Sequence, residues 1–418
     1  MRLPRPSSPL WRDGDFLRYW TSQVAGEFAA QIGLLALPTI AILVLHATPF
    51  QVGLLAALQY LPWVFVALPA GVYADRHPRR PVLVASYLVR AIAFTAIPLA
   101  YLGHRLSLPL LYVVALAEGA FYVVYSISST AYLPALVGRR ILVDANSKVF
   151  ASRSAATLGG PGIGGLLVQL VGAALTIWAS VAGLLLSALA VIAIRRPEVP
   201  PEPPPAEATG FRAEMVEGFQ VVTRNRTLTL IVACVGVGNI GGSMSLAVFL
   251  IFAYRLLHLA PSSVGFILAM EGLGTLIGAA LAGHAARRFG LGPILFATGL
   301  LFGLLFLAIP LASLLAPVLL LAAIFLLVGV VGVIFDVNQV SLRQSITPDR
   351  LQGRMTASVR FVILGLAPVG SFLGGVLGSS IGIVPTLLLG GLIITLAAGL
   401  LLPGERAPVR LITPPEPV

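Results

Sequence analysis

Gly71-Val72-Tyr73-Ala74-Asp75-Arg76-His77-Pro78-Arg79-Arg80 stands between two long apolar stretches, and a degraded copy, Gly283-His284-Ala285-Ala286-Arg287-Arg288, follows 212 positions later. Residues upstream keep the same offset: Leu45-His46, Pro49, Val52 and Gly53 return as Leu257-His258, Pro261, Val264 and Gly265. A block matched at so many positions marks an internal duplication. Because both copies join apolar runs, the chain reads as a duplicated membrane protein.

Composition agrees. Of 418 residues, 58% are hydrophobic and only 10% charged, and the mean hydropathy is +0.96, beyond what a water-soluble core needs. A helical span takes about 20 apolar residues. Cutting at charge clusters and Pro/Gly turns gives twelve spans, over 16–45, 50–74, 81–103, 107–137, 146–171, 174–194, 226–256, 262–286, 291–312, 316–342, 352–379 and 382–402. The predicted fold is an all-α membrane protein of twelve transmembrane helices in two pseudo-symmetric six-helix bundles.

The net charge of +11 raises the question of nucleic acid, but its distribution answers otherwise. Most of the 27 Lys and Arg residues, Arg343 among them, fall on alternate loops, whereas Arg105 and Arg255 alone occupy the opposite ones. That is the positive-inside asymmetry, which puts both termini in the cytoplasm of a bacterial-type inner membrane. Polyanion binding needs its charges gathered on one folded face, so no nucleic-acid partner is expected. Cys234 is alone and the five histidines are scattered, so neither a disulfide nor a metal site is expected. The N-terminus lacks a short apolar core with a small-residue cleavage site, so the first span is expected to be retained.

Pro197 to Gly210 is too rich in proline for a helix and has no apolar run to bury. After it, Phe211, Met215, Phe219 and Val222 recur at helical spacing between charged residues. This describes an amphipathic helix, lying on the membrane surface or packed beneath the bundle. The organisation is then a cytoplasmic tail over 1–15, a bundle over 16–196, a cytoplasmic linker and surface helix over 197–225, a bundle over 226–402 and a cytoplasmic tail over 403–418. A second repeat supports it, since Arg153 and Gly160-Pro161 match Arg360 and Ala367-Pro368. Parallel six-helix halves are a transporter architecture with the substrate site near mid-membrane.

Gly71-x-x-x-Asp75-Arg76-x-x-Arg79-Arg80 resembles the signature loop of the major facilitator superfamily, and Gly160-Pro161-x-x-Gly164-Gly165 in span 5 resembles that superfamily's antiporter motif. The helix before span 7 and the run from Asn338-Gln339 to Leu351-Gln352-Gly353-Arg354 resemble the branch containing macrolide efflux proteins and siderophore exporters. The resemblance implies that the loop latches the cytoplasmic side of the closed bundle and that the direction of transport is export. The second half departs from the pattern, with Arg287 where Asp75 stands in the first. Read from the residues, Asp75 suits a neighbouring helix N-terminus or an arginine, while Arg76, Arg79 and Arg80 fix topology in any case. The glycines around Pro161 permit close helix approach.

Ionisable groups inside spans carry more. Acids Glu27, Glu118, Glu271 and Asp336 and bases Arg90, Arg153 and Arg360 each cost about 2.5–3.5 kcal/mol at a helix centre, so each must pair, titrate or face a cavity. Desolvation favours the neutral carboxylic acid and a nearby arginine favours the carboxylate, so an acid alternating between the two binds and releases a proton. Glu27 ranks first, because its repeat partner is Asn239; the alternative for every acid is a static pair with Arg90, Arg153 or Arg360. Gln23, Glu27 and Gln31 form one stripe on span 1, and Glu118, Tyr122, Tyr125 and Ser129 another on span 4. With Phe28, Trp63, Asn239 and Phe249, Gln23, Gln31 and Tyr122 are the candidates to line a cavity for a bulky amphiphile, although most aromatics in such spans are ordinary packing or lipid-facing residues.

A phosphate-cradling loop ending in Lys-Ser/Thr is absent, Lys148 being the sole lysine, and no nucleophile–base or metal pattern indicates an enzyme. The expectation is a monomeric, cofactor-free secondary transporter in the lipid bilayer. It would exchange protons for a small apolar or amphipathic substrate, drug- or siderophore-like, by rocking one half on the other. A proton-linked metabolite importer and a lipid or lysolipid flippase are the alternatives.

Overall fold

The computed structural model describes residues 9–198, 211–314 and 316–402. Among them every long element is a helix: α1 Gly14–Leu43, α2 Pro49–Tyr60, α3 Pro62–Phe65, α4 Ala67–Arg76, α5 Arg79–Leu102, α6 Leu108–Val137, α7 Leu142–Val171, α8 Ala173–Ile192, α9 Phe211–Arg224, α10 Arg226–Ile251, α11 Pro261–Phe289, α12 Leu291–Ala308, α13 Pro317–Ser345, α14 Asp349–Ser380 and α15 Ile383–Gly399. Ten are long and apolar enough to cross a membrane, with short helical turns extending α10 and α12, and α15 is a shorter apolar helix. The all-α class is as expected.

Span 2 differs from the single helix expected over 50–74. It is three pieces, α2, α3 and α4, interrupted at Leu61 and Val66. Pro62 has no N–H to donate and its ring crowds the preceding turn, so the chain restarts there. In the second half Gly274 stands at the equivalent position, and α11 runs through it unbroken.

Packing divides the chain into two compact units, one drawn from residues up to Ile40 with the segment from Pro62 to the linker, the other from Ala41–Leu61 with all that follows the linker. Although α2 precedes the linker in sequence, it packs in the second unit against α14 and α10. The reason is local: a Cβ on Gly53 would overlap Gly375 Cα and lie 2.6 Å from its nitrogen, so two backbones meet where neither residue has a side chain.

Also in the second unit, the α9 end resolves the two readings of the surface helix. Val222 is buried with Leu228, Val232, Met355 and Val359, and Glu217 pairs with Arg354, so this end packs beneath α10 and α14. The Phe211 and Met215 side chains lie outside the described residues. Arg343 is a correction: counted among loop charges, it sits inside α13, only 7% exposed.

The duplication is visible in backbone conformation. His46 and His258, equivalent positions after α1 and α10, adopt φ of 51° and 52°. After each, the next residue closes back onto the helix end: Ala47 N–H donates to Ala41 O at 2.8 Å, and Leu259 N–H donates to Ala253 O at 3.0 Å. Left-handed backbone costs an L-residue roughly 1–2 kcal/mol, and glycine returns roughly 0.5–1 kcal/mol of that in chain entropy. His46→Gly and His258→Gly are therefore expected to raise the melting temperature slightly and equally; a drop at either would show that the imidazole itself holds the turn.

Candidate functional site

Two cavities border intramembrane acids, one in each unit. In the first unit, the 3.6-residue repeat aligns Gln23 and Glu27 on α1 facing Tyr125 and Ser129 on α6. Tyr125 Oη–H donates to Gln23 Oε1 at 2.7 Å, Ser129 Oγ–H donates to the same oxygen at 3.1 Å, and Tyr125 Oη lies 3.4 Å from Glu27 Oε1. Tyr19 Oη, 3.0 Å from Ser129 Oγ, extends the chain. These groups, with Arg153, border a cavity of about 220 Å³.

The sequence leaves the ion pairs open, and the structure assigns two. Glu27 pairs with Arg153 of α7 at 3.1 Å. The Glu27 side chain is 6% exposed, but that of Arg153 is 49% exposed, so the pair sits at the cavity edge. Arg90 of α5 and Glu118 of α6 form a two-pronged pair, Nε to Oε2 at 2.9 Å and Nη2 to Oε1 at 2.6 Å. Arg90 is fully buried, under the rings of Tyr122 and Tyr125 at 5.1 and 5.6 Å. Tyr122 also joins the pairs, accepting from Arg153 Nη2 at 3.3 Å. One pair is thus enclosed and doubly hydrogen-bonded, the other half open.

The glycine motif of α7 lies on the same α1 face. A Cβ on Gly160 would come within 2.5 Å of Gln31 Cβ, and one on Gly159 within 3.3 Å of the Phe28 ring; Gly164 faces Ile32 Cα at 3.5 Å. Gly165 is buried beside it, and α7 continues unbroken through Pro161. Gln31 and Phe28 accordingly serve this helix contact and line neither cavity.

In the motif that ends α4 and opens α5, Gly71 faces open space, Arg76 is exposed, and the Asp75 side chain lies outside the described residues. Among the described residues, Glu198 meets the α5 N-terminus, accepting from the backbone N–H of Arg79 (2.7 Å) and Arg80 (2.9 Å). Arg80 Nη2 donates to Ile192 O at 2.7 Å, and Asp15 accepts from the backbone of Arg195 and Arg196 at 2.9 and 3.0 Å. A carboxylate at a helix N-terminus is favoured by the exposed N–H groups and the dipole. Glu198 was missed because it opens the proline-rich segment; its signal is the run Arg195-Arg196-Pro197-Glu198.

In the second unit, Glu271, Asp336 and Asn239 line a cavity of about 380 Å³. Arg360 on α14 is exposed and makes no ion pair among the described residues. Phe249 and Trp63 line neither cavity. Phe249 is 1% exposed and packs on Phe325 at 4.7 Å between centroids, so it is core.

A family model described as transmembrane secretion effector matches residues 6–409. The enterobactin exporter EntS of Shigella dysenteriae serotype 1 (strain Sd197) is 28% identical over 333 residues, 78% of this chain and 76% of that protein. EntS of Escherichia coli O1:K1 / APEC is 28% identical over 332 residues with the same coverage. Among solved structures, the nucleoside transporter NupG superposes with a TM-score of 0.74 at 11% identity over 93% of this chain and 98% of that chain. A bacterial homologue of the human lysosomal transporter Spinster gives 0.71 at 14% over 94% and 97%. Identities this low speak for the fold alone. The family match, running through almost the whole length of an all-α chain with these neighbours, shows that the protein belongs to the transmembrane secretion effector family of the major facilitator superfamily and is a multi-pass membrane transporter.

Proposed function

We propose that the protein is a proton-coupled exporter of small apolar or amphipathic molecules, siderophore- or drug-like, working by alternating access in a bacterial inner membrane with both termini cytoplasmic. The direction rests on the family description and on relatives named as enterobactin exporters. The coupling rests on one observation, the Glu27–Arg153 pair at a cavity edge, with a half-exposed guanidinium and a hydroxyl chain alongside.

Glu118, held by two hydrogen bonds to a fully buried arginine, cannot take up a proton without loosening that clamp. Glu27 shares one oxygen with a single arginine prong and a tyrosine at 3.4 Å. Moving α7 on its glycine face against α1 would withdraw Arg153 and leave the acid dry, which favours protonation; its return would release the proton. The expected result in everted vesicles is that an acidic lumen drives cargo inward, and that Glu27→Gln lowers this uptake at least tenfold while the protein stays folded. Unchanged proton-driven uptake by Glu27→Gln would sink this assignment, and uphill accumulation by right-side-out cells would reverse the direction.

A further inference from the structure

The two cavities differ in charge. In the first unit, Glu27 and Glu118 each hold an arginine. In the second, Glu271 on α11 and Asp336 on α13 line a larger cavity, and among the described residues neither has a cation within 4 Å. Arg343 lies two turns along α13 from Asp336 and is buried, and it forms no ion pair with either acid. The described residues include no group of three metal-ligating side chains. Two acids in an apolar enclosure without a counter-ion are neutralised either by protons or by a cation from outside.

The remaining walls say what kind. Phe302, Phe325 and Phe335 line the same space, and aromatic faces attract cations, more strongly when water is excluded. About 380 Å³ falls in the range of organic-ligand sites. Gly238 and Gly242, on consecutive turns of α10, also face it, and a Cβ on either would meet nothing within 4 Å. On the same helix Gly241 is small for a different reason, its Cβ reaching 2.6 Å from Gly390 O. Helix packing therefore accounts for Gly241 and not for Gly238 or Gly242, whose missing side chains keep the cavity open.

We infer that this cavity binds a lipophilic organic monocation, with the apolar groups against the phenyl rings and the charge met by Glu271 and Asp336. This rests on the exporter reading above only in taking the bound cation as cargo. The test is binding of tetraphenylphosphonium to the full chain in nanodiscs of neutral lipid, with tetraphenylborate as its isosteric anion. One saturable site is expected for the cation and none for the anion. Glu271→Gln/Asp336→Asn should weaken binding at least tenfold, and Gly242→Leu should weaken it as much by filling the space without a change in melting temperature.

Should the double variant fail to fold, Gly242→Leu decides alone. Unchanged affinity in the folded variants, equal binding of the borate, or displacement by a divalent metal ion would each overturn the assignment. Loss of proton-driven transport with cation binding intact would remove the exporter reading and leave the site standing; transport of another compound without any cation binding would do the reverse.

Discussion

Arg90→Met and Glu118→Leu are each expected to destabilise the protein by about 3–5 kcal/mol, and the double variant Arg90→Met/Glu118→Leu to recover most of that loss. The pair is enclosed, with Arg90 fully buried and joined to Glu118 by contacts of 2.9 and 2.6 Å. Removing either partner strands a charge where no water reaches it, while removing both replaces the pair by apolar side chains of similar length. Arg90 Nη1 already lacks a partner, so its donors are under-satisfied before any substitution, and loss of Glu118 leaves all of them so. Thermal melting of the three variants in one detergent checks this. Additive losses would show that the pair is solvated, and a single-variant loss below about 1 kcal/mol would place it with surface ion pairs. Glu27→Gln makes the contrast, since its arginine is half exposed: transport should fall there with little change in melting.

The parts of this site that could be read in the sequence are those fixed by helical period. Gln23 and Glu27, one turn apart, had to share a face, and so did Tyr125 and Ser129; the hydrogen bonds from Tyr125 and Ser129 to Gln23 follow once the helices touch. Pairing was not legible, because the choice of Arg90 for Glu118 and Arg153 for Glu27 depends on rotation and height between helices far apart in sequence. Pro62 carried its signal openly, yet a hydropathy count runs across it because proline is only mildly polar. Arg343 was misplaced for a related reason: α13 continues to Ser345, one turn past the last apolar run, and buries the residue. The placement of α2 with α14 was hidden altogether, since Gly53 and Gly375 announce their contact only when both backbones are in view.

The second large effect is expected at α11 and α13, where Gly274→Ala and Gly329→Ala should each cost at least the upper end of the ~1–3 kcal/mol typical of overpacking. A Cβ on Gly274 would overlap the Leu326 carbonyl oxygen and lie 3.0 Å from Val330 N, and one on Gly329 would overlap the Glu271 carbonyl oxygen and lie 2.8 Å from Thr275 N. Backbone cannot rotate away as a side chain can, so the two helices would have to part along this seam, losing the close contact that drives helix association in a bilayer, where no hydrophobic effect holds them together. Gly238→Ala is the control, because its Cβ enters open space and alanine is the better helix former; its melting temperature should match or exceed the parent's. The same seam carries Glu271 on α11 and Asp336 on α13, so parting it by roughly an ångström would also respace the two carboxylates. Gly329→Ala should therefore weaken cation binding even in whatever fraction remains folded, while Gly238→Ala, adding only one methyl to the cavity wall, should weaken it far less. A Gly274→Ala or Gly329→Ala protein that melts like the parent would mean that α11 and α13 stand further apart than this packing requires.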